Sequence, residues 1–439
     1  MKTRIFKYFR AFVCLALALV ICVAALGFSS CAQTVADPVM QHGDNAISLE
    51  LYNFLLSRMK GTLARQGHDV SAISEFWGEM HGDSGLTNEQ YYNKAVVETC
   101  KKYLAALAIF DEQGMTLSET TLAAIEEEIS FYIAYDGDGD EAKFDAILAK
   151  YGTNTAGLRQ MYEIEAKYNA VITSLYGAGG SQISGNVKDE YYKENYYRFK
   201  QILIANYYYE YVTDENGDLI YFNPEDGKPI YDENGEYHYD ENDNRVLDDY
   251  GVAIKYDEDG NILYDKEKGK PTPTKDDKGY VIEHFYTNDE MAERVAKIEG
   301  IIASANGGNY SAFEKEMPNW VVYIGAGEYC PEGYYLSDIE SSSYDENMLK
   351  ILAELKDMTE GEVRAVEGEN GYHVIMKYKL DAGKYENSEY SEWFLNFNDS
   401  LVNKLFKERC AKYYDGITVN EDVLDRATSI KSIGINFDY

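Results

Sequence analysis

The sequence predicts an α+β protein: a helical lobe, formed by N-terminal helices and a returning C-terminal helix, with an inserted α/β domain that carries an acidic, β-hairpin-rich insertion. Apolar residues recur at helical spacing through residues 47–195 and again through 384–439. Residues 196–380 instead contain runs with the two-residue alternation that is typical of strands. Within that range, Asn-Gly and Asp-Gly turns separate short Tyr-rich runs over residues 213–287.

The chain is strongly acidic, and this narrows the choice of partners. Its 439 residues include 76 Asp and Glu against 41 Lys and Arg, which gives a formal net charge of −35. A surface of this charge repels phosphate backbones and anionic lipid head groups, which argues against nucleic-acid binding. The same charge favours basic or cationic partners.

Residues 1–30 have the plan of a secretory signal peptide. Four basic residues precede an almost wholly apolar run over residues 11–28, and small residues follow that run. An uncleaved membrane helix is the alternative, because about 18 apolar residues approach the length that spans a bilayer. Residues 31–46 then form a short polar tether.

The end of this leader, Phe28-Ser29-Ser30-Cys31, resembles a bacterial lipobox with phenylalanine where leucine is usual. The resemblance implies cleavage before Cys31 and lipid attachment to its sulfur. Two or more acyl chains hold a protein stably on a bilayer where one does not. The motif therefore implies a lipoprotein anchored at the extracytoplasmic face of the bacterial cell membrane.

Beyond the leader, three cysteines remain: Cys100, Cys330 and Cys410. They are widely spaced and odd in number, so neither a disulfide framework nor a zinc site is predicted. Cys100 and Cys410 lie in amphipathic helical patterns, and we expect both to be small core residues.

Local start and stop residues delimit the helices of the N-terminal lobe. Ser48 is a predicted N-cap of a first helix that Gly67 ends. Thr87-Asn88-Glu89-Gln90 is a capping box that opens a long helix closed by Gly114, and Ser118 caps the next. Further helices are predicted over residues 141–151, 155–176, 186–197, 291–302, 310–317 and 388–413, and the last of these is expected to pack on helices before residue 195.

The segment around Gly371–Tyr378 predicts the central strand of the inserted domain. Val374, Met376 and Tyr378 alternate with the residues between them, the pattern of a strand with one buried face. Ahead of it, a helix end with Gly361 at the left-handed stop position runs into a second strand over residues 362–366, and 367–371 make the turn.

This order of motifs resembles the block L-x-x-G-E-[IV]-S-x-P-V … G-Y-H-I-I of parvulin-type peptidyl-prolyl isomerases of the PrsA/SurA foldase group. The resemblance implies a helical chaperone-like domain at 47–195, a parvulin-like domain at 196–380 interrupted by the insertion, and a returning C-terminal helix and tail at 384–439. It further implies an exported, lipid-anchored folding factor that acts on unfolded or exported polypeptide clients and needs no cofactor.

The same resemblance suggests the site residues. His373 and Cys330 stand at positions that parvulins use for catalysis, whereas Gln201 replaces a histidine and the family's Gly-Gly-Asp triplet is missing. Candidate substrate-binding residues are Phe313, at the family's aromatic position, together with Met348 and Ile351. We therefore expect peptidyl-prolyl isomerase activity to be weak or lost.

Two of these residues have simpler interpretations. His373 can be a hydrogen-bonded core histidine that steadies the sheet, and Cys330 can be a small loop residue. Because prolyl isomerisation requires desolvation and a twisted amide rather than proton transfer to the substrate, neither residue type alone identifies a site.

The acidic turns match calcium-binding loops only in part. Asp136 to Asp140 begins like an EF-hand loop, but Glu141 stands where glycine is required and Ile147 where the bidentate glutamate belongs. No metal site is predicted, although weak divalent-cation binding by the insertion is left open against solvated turns. The alternative function is a non-enzymatic surface binding or structural lipoprotein that works through the acidic Tyr-rich insertion.

Overall fold

The computed structural model describes residues 38–322 and 332–439. These residues divide into two compact units. The first, called the helical unit here, holds residues 38–184 and Asn398–Tyr439, and the second, the sheet unit, holds Gly185–Phe397. The mixture of helix and sheet predicted from the sequence is confirmed.

The helices are α1 (Leu49–Arg65), α2 (Asn88–Glu112), α3 (Glu119–Tyr135), α4 (Glu141–Leu148), α5 (Thr155–Tyr176), α6 (Gly185–Asn195), α7 (Asn288–Val295), α8 (Ile298–Ala305), α9 (Tyr310–Glu316), α10 (Glu346–Asp357), α11 (Phe397–Ala411) and α12 (Glu421–Leu424). The strands are β1 (Met40–His42), β2 (Asn45–Ile47), β3 (Tyr196–Ala205), β4 (Tyr207–Tyr209), β5 (Tyr221–Phe222), β6 (Glu236–Tyr237), β7 (Lys255–Tyr256), β8 (Lys270–Pro271), β9 (Glu283–Phe285), β10 (Tyr334–Ser337), β11 (Val363–Gly368), β12 (Gly371–Tyr378) and β13 (Thr418–Val419).

The predicted caps open the helices of the helical unit. The Ser48 side chain accepts from the Leu51 amide at the start of α1, and Ser118 does the same for Thr121 at α3. Thr87 and Gln90 form the predicted capping box of α2. Each cap satisfies an amide that the helix itself leaves without a partner.

Two apolar clusters hold the helical unit together. The larger joins α1, α2 and α5 around the fully buried residues Leu51, Phe54, Leu104 and Leu158. In the smaller, Phe406 and Cys410 of α11 pack with residues of α2 and α5. Cys100 and Cys410 are buried free thiols whose pKa burial raises to about 12 and about 11, so the prediction that they are core residues is confirmed.

The residues after α12 complete the same core. Ile430 and Ile433 are buried in the larger cluster. Lys60 of α1, only 4% exposed, donates from Nζ to the carbonyl oxygens of Lys431 at 2.6 Å and Ile433 at 2.9 Å. A buried ammonium with two carbonyl acceptors has its hydrogen bonds satisfied, so this tail is tied to α1 by both packing and polar contacts.

The sheet unit is built on a four-stranded antiparallel sheet of order β10-β3-β12-β11. Helices α8 and α9 cover one face, where Ile202, Val374 and Met376 are buried. Helix α10 covers the other, where Phe199 and Ile375 are buried. The expectation of one buried face for β12 is therefore wrong, because α8 and α9 pack on one side of the strand and α10, which precedes β11, packs on the other.

Two predicted helices differ most from the structure in their bounds. The segment 291–302 is divided between α7 and α8. The C-terminal helix begins at Phe397 rather than Ser388, because residues 388–393 form a 3₁₀ turn. The buried carboxylate of Glu340 accepts from the Asn396 amide at 2.9 Å, and Phe394 packs 5.0 Å from the Tyr196 ring, so these contacts override the helical pattern.

The acidic insertion forms a series of short hairpins joined by β5–β8 and β6–β7, and the pairing of β9 with β4, which precedes the insertion, closes its base. Backbone hydrogen bonds close three of its segments into a ring. His238 donates to Ile254 at 3.1 Å, Ile254 to Val246 at 3.0 Å, and Val246 back to His238 at 2.9 Å. This ring pairs backbone amides with backbone carbonyls. It orders a segment whose few aliphatic residues cannot form a hydrophobic core of their own.

A repeated Asp-x-x-Gly turn closes the hairpins. In five of these turns the aspartate Oδ1 accepts from the amides two and four residues later, at Asp214, Asp240, Asp248, Asp257 and Asp276. The fourth residue has positive φ, which glycine adopts without strain, and Asp243 takes that place in one turn at φ 67°. Backbone donors lower the pKa of Asp240 and Asp257, so their charge is already stabilised by the chain itself.

Candidate functional site

The candidate site lies on the two central strands of the sheet unit. In the pairing of β3 with β12, His373 stands opposite Leu203 and Ile375 opposite Gln201. His373 and Gln201 therefore project from the same face as diagonal neighbours, and His373 Nδ1 lies 2.9 Å from Gln201 Oε1. Residues 172 positions apart in sequence are brought into direct contact.

Gly371 fixes this register at the start of β12. It has φ 125°, and a Cβ atom there would lie 2.2 Å from the Ile204 carbonyl oxygen. A larger residue would push the two strands apart at this point. The close approach of backbones thus explains why glycine precedes the Tyr372-His373 pair.

The second ring nitrogen of His373 is also bonded. His373 Nε2 lies 3.0 Å from Asn370 Oδ1, and the same oxygen accepts from Asn347 Nδ2 at 3.4 Å. Because Asn370 Oδ1 is the acceptor in both contacts, His373 carries its proton on Nε2. In a neutral ring Nδ1 must then accept a hydrogen bond. The Gln201 amide therefore has to be turned over, so that its NH₂ group and not Oε1 faces Nδ1.

Burial keeps this imidazole neutral. His373 is 5% exposed, and desolvation lowers its pKa from the ordinary value, with the Asp345 carboxylate opposing that change. A neutral ring bonded at both nitrogens has no free donor or acceptor. It steadies the two strands and the adjoining turn, and it would have to break a hydrogen bond before it could contact a substrate.

Two further asparagines hold the turn between β11 and β12. Asn347 Oδ1 accepts from the Glu369 amide at 3.1 Å, while Asn206 donates from Nδ2 to the Glu369 carbonyl at 3.0 Å. The Asn206 amide also donates to the Asn370 carbonyl at 3.0 Å. The sequence identified this segment as a turn but missed the asparagines, because isolated amides have no characteristic spacing.

The residues predicted to bind substrate are divided between the two faces of the sheet. Ile351 is buried in the cluster beneath α10, on the His373 face, and Met348 packs against that cluster. Phe313 is fully buried with Ile202 on the opposite face. The described residues therefore place Met348 and Ile351 with His373 and leave Phe313 apart from them.

Two other predicted residues fall outside the described part of the chain. Cys330 belongs to the segment 323–331, and Cys31 precedes Pro38. Their proposed roles in catalysis and lipidation stay predictions.

In residues 38–322 and 332–439, no group of three or more His, Cys, Asp or Glu side chains is arranged to hold a metal ion. Within the same ranges, no helix has both the length and the apolar character needed to span a bilayer.

Comparison with known proteins gives no family assignment. No family model and no curated protein sequence match the chain. Among solved structures, it is similar to PrsA from Bacillus subtilis, at 14% identity over 79% of this chain and 91% of that one, with a TM-score of 0.18. Peptidylprolyl isomerase PrsA from Bacillus anthracis gives 15% identity, coverage of 77% and 99%, and a TM-score of 0.20. Foldase protein PrsA from Lactococcus lactis gives 9% identity, coverage of 90% and 100%, and a TM-score of 0.20.

TM-scores this low establish neither a family nor an activity. Any function of this chain has to follow from its own residues, above all from the surroundings of His373.

Proposed function

We propose that the chain is an exported, lipid-anchored folding factor in which a helical, client-binding unit accompanies a parvulin-like unit of weak or lost prolyl isomerase activity. The observation that carries the proposal is the His373–Gln201 contact on the central strands of the sheet. In the parvulin pattern that this sequence resembles, two histidines stand at these positions, and Gln201 replaces one of them here.

The geometry around His373 supports the reduced activity. Isomerisation is accelerated when a site desolvates the prolyl bond and stabilises the twisted amide more than the planar one. His373 is almost wholly buried, and both of its nitrogens already have partners. A side chain engaged in this way supports the fold of the sheet and offers no group to a bound peptide.

The proposal is tested with two assays on the same protein. A protease-coupled assay measures cis/trans isomerisation of a prolyl peptide, and light scattering measures aggregation of a client diluted from denaturant. We expect strong suppression of aggregation and little isomerisation. Failure of the wild-type chain to suppress aggregation would contradict the folding function.

A second candidate function uses the insertion, residues 213–287. Its hydrogen-bonded hairpins form an ordered scaffold that exposes Tyr239 and Tyr250, which favours a surface for ligand binding. In this candidate the protein is a non-enzymatic surface binding or structural lipoprotein. Deleting the insertion separates the two functions, because client protection should survive the deletion and a binding role of the insertion should not.

A further inference from the structure

Helix α3 of the helical unit carries large apolar side chains on its exposed side as well as on its buried side. Ile125 and Ile129 are buried, whereas Phe131 and Tyr135 are 51% and 68% exposed. A surface helix ordinarily confines its large apolar side chains to the face that packs on the core. The exposed side of α3 is therefore a surface that needs a functional explanation.

Three exposed apolar side chains of α3 share one face of the helix. Ala124, Phe131 and Tyr135 follow one another at spacings of seven and four residues, which places them on one face of the helix. The rings of Phe131 and Tyr135 are stacked, with centroids 5.8 Å apart and planes 6° from parallel. Two nearly parallel rings give a flat apolar platform whose side chains have few rotamers to lose on binding.

The charged side chains that α3 itself carries beside this face are all acidic. Helix α3 contains four glutamates and no lysine or arginine. Glu126 is held by Arg159, which donates from Nε at 2.6 Å and from a terminal nitrogen at 3.1 Å. Glu127 is exposed one helical turn before Phe131, so a carboxylate adjoins the aromatic platform.

We infer that this face, defined by Ala124, Glu127, Phe131 and Tyr135, docks unfolded polypeptide segments in which bulky apolar side chains alternate with lysine or arginine. The apolar side chains of such a segment would cover the stacked rings, and its cations would approach Glu127. The inference rests on the proposed folding function and names the client class together with the surface that binds it.

The test measures peptide binding to the full-length protein by fluorescence anisotropy. The probe is a fluorescein-labelled 12-residue peptide that alternates Phe and Leu with Lys, and its partner peptide has Glu in place of Lys. The variant F131S/Y135S should bind the lysine peptide about tenfold more weakly, because it loses two central aromatic contacts.

A matched control removes two aromatic residues of similar exposure from the sheet unit. Tyr280 and Phe285 are 69% and 67% exposed, so Y280S/F285S changes the exposed aromatic area by a comparable amount. Binding of the lysine peptide by this control should stay within about twofold of wild type. Equal weakening in both double variants, or none in F131S/Y135S, would overturn the assignment of the surface.

Charge selection is tested at Glu127. E127K should weaken binding of the lysine peptide and strengthen binding of the glutamate peptide, since it reverses the charge beside the platform. Identical effects on the two peptides would refute the basic client class. Circular dichroism checks that each variant is folded, which exposed positions should permit.

Two further measurements separate this inference from the proposed function. If wild type and F131S/Y135S suppress client aggregation equally, the surface is wrong and the folding function stands. If wild type suppresses none, the folding function fails whatever the peptides do. Light scattering also tests whether the protein forms a dimer. If wild type is a dimer and the F131S/Y135S variant is a monomer that still binds the peptide, the face binds a second copy of the chain, and the inference is overturned.

Discussion

The neutral state of His373 predicts that the sheet unit loses stability in mild acid. Burial lowers the folded-state pKa of this imidazole below the ordinary value of 6.5, so the unfolded chain takes up the proton first. The stabilisation is therefore complete above about pH 6.5 and is lost as the pH falls below it. The loss is at most about 1.4 kcal/mol for each pH unit between the unfolded-state and folded-state pKa values.

The hydrogen bonds do not remove this penalty. Protonation at Nδ1 would turn an acceptor into a donor, and Gln201 could answer by turning its carbonyl oxygen toward the ring. Asn370 Oδ1 already accepts from Nε2. Since both contacts can survive protonation, the cost comes mainly from placing a charge in a site that is 5% exposed.

The matched variant is His373→Gln, which has no ionisable group at this position. At pH 7.5 it should be about 2 kcal/mol less stable than wild type, because it loses a hydrogen bond and ring packing. The difference between the two proteins should then shrink as the pH falls toward 5. Urea unfolding measures it through Trp320 and Trp393 fluorescence in a Trp77→Phe background, which removes the only tryptophan outside the sheet unit.

The comparison of the two proteins cancels the acid effects of other groups, since both contain the same carboxylates. A stability difference that stays constant between pH 7.5 and pH 5 would refute the reasoning. It would show that the folded and unfolded chains protonate His373 alike.

Three further predictions concern other parts of the chain. Prolyl isomerisation should be about a hundredfold slower than in an intact parvulin, because Gln201 in place of histidine and the missing Gly-Gly-Asp triplet each lower the rate about tenfold. The variant His373→Ala should suppress client aggregation as well as wild type does. A normal isomerisation rate that His373→Ala abolishes would refute this prediction. Ile430→Ala should lower the free energy of unfolding of the helical unit by about 3 kcal/mol, whereas Ile435→Ala, at a 37% exposed position, should lower it by less than about 1 kcal/mol; thermal unfolding yielding equal losses would contradict the packing described for the tail. Wild type should partition into the detergent phase and Cys31→Ala should not, and equal partitioning would favour an uncleaved membrane helix.

The sequence predicted best those features that depend on neighbouring residues. The caps at Ser48, Thr87 and Ser118 satisfy amides within three residues of themselves, so their pattern is local and readable. The alternating strand at Gly371–Tyr378 was found for the same reason. The burial of this strand on both faces was not predicted, because its own alternation does not show which helices pack on each side of the sheet.

The start of α11 shows how tertiary contacts override a local pattern. Residues from Ser388 have helical spacing, yet Trp393 packs against the apolar cluster of the sheet unit and Glu340 binds the Asn396 amide. A continuous helix would direct these groups elsewhere. No sequence pattern identifies Glu340 as the partner, since it lies 56 positions away.

The site itself was predictable as a pair of residues but not as a hydrogen-bonded arrangement. Strand register brings Gln201 to His373, whereas the roles of Asn347 and Asn370 depend on how α10 meets the turn after β11. This arrangement also shows what the glutamine changes. Two facing imidazoles satisfy each other only when one donates and the other accepts, so their protonation states are coupled. An amide can present either its oxygen or its NH₂ group, so Gln201 meets His373 in either protonation state. The pair therefore retains a contact between the central strands while losing the coupled titration of two rings, and this is the physical reason for assigning it a structural role.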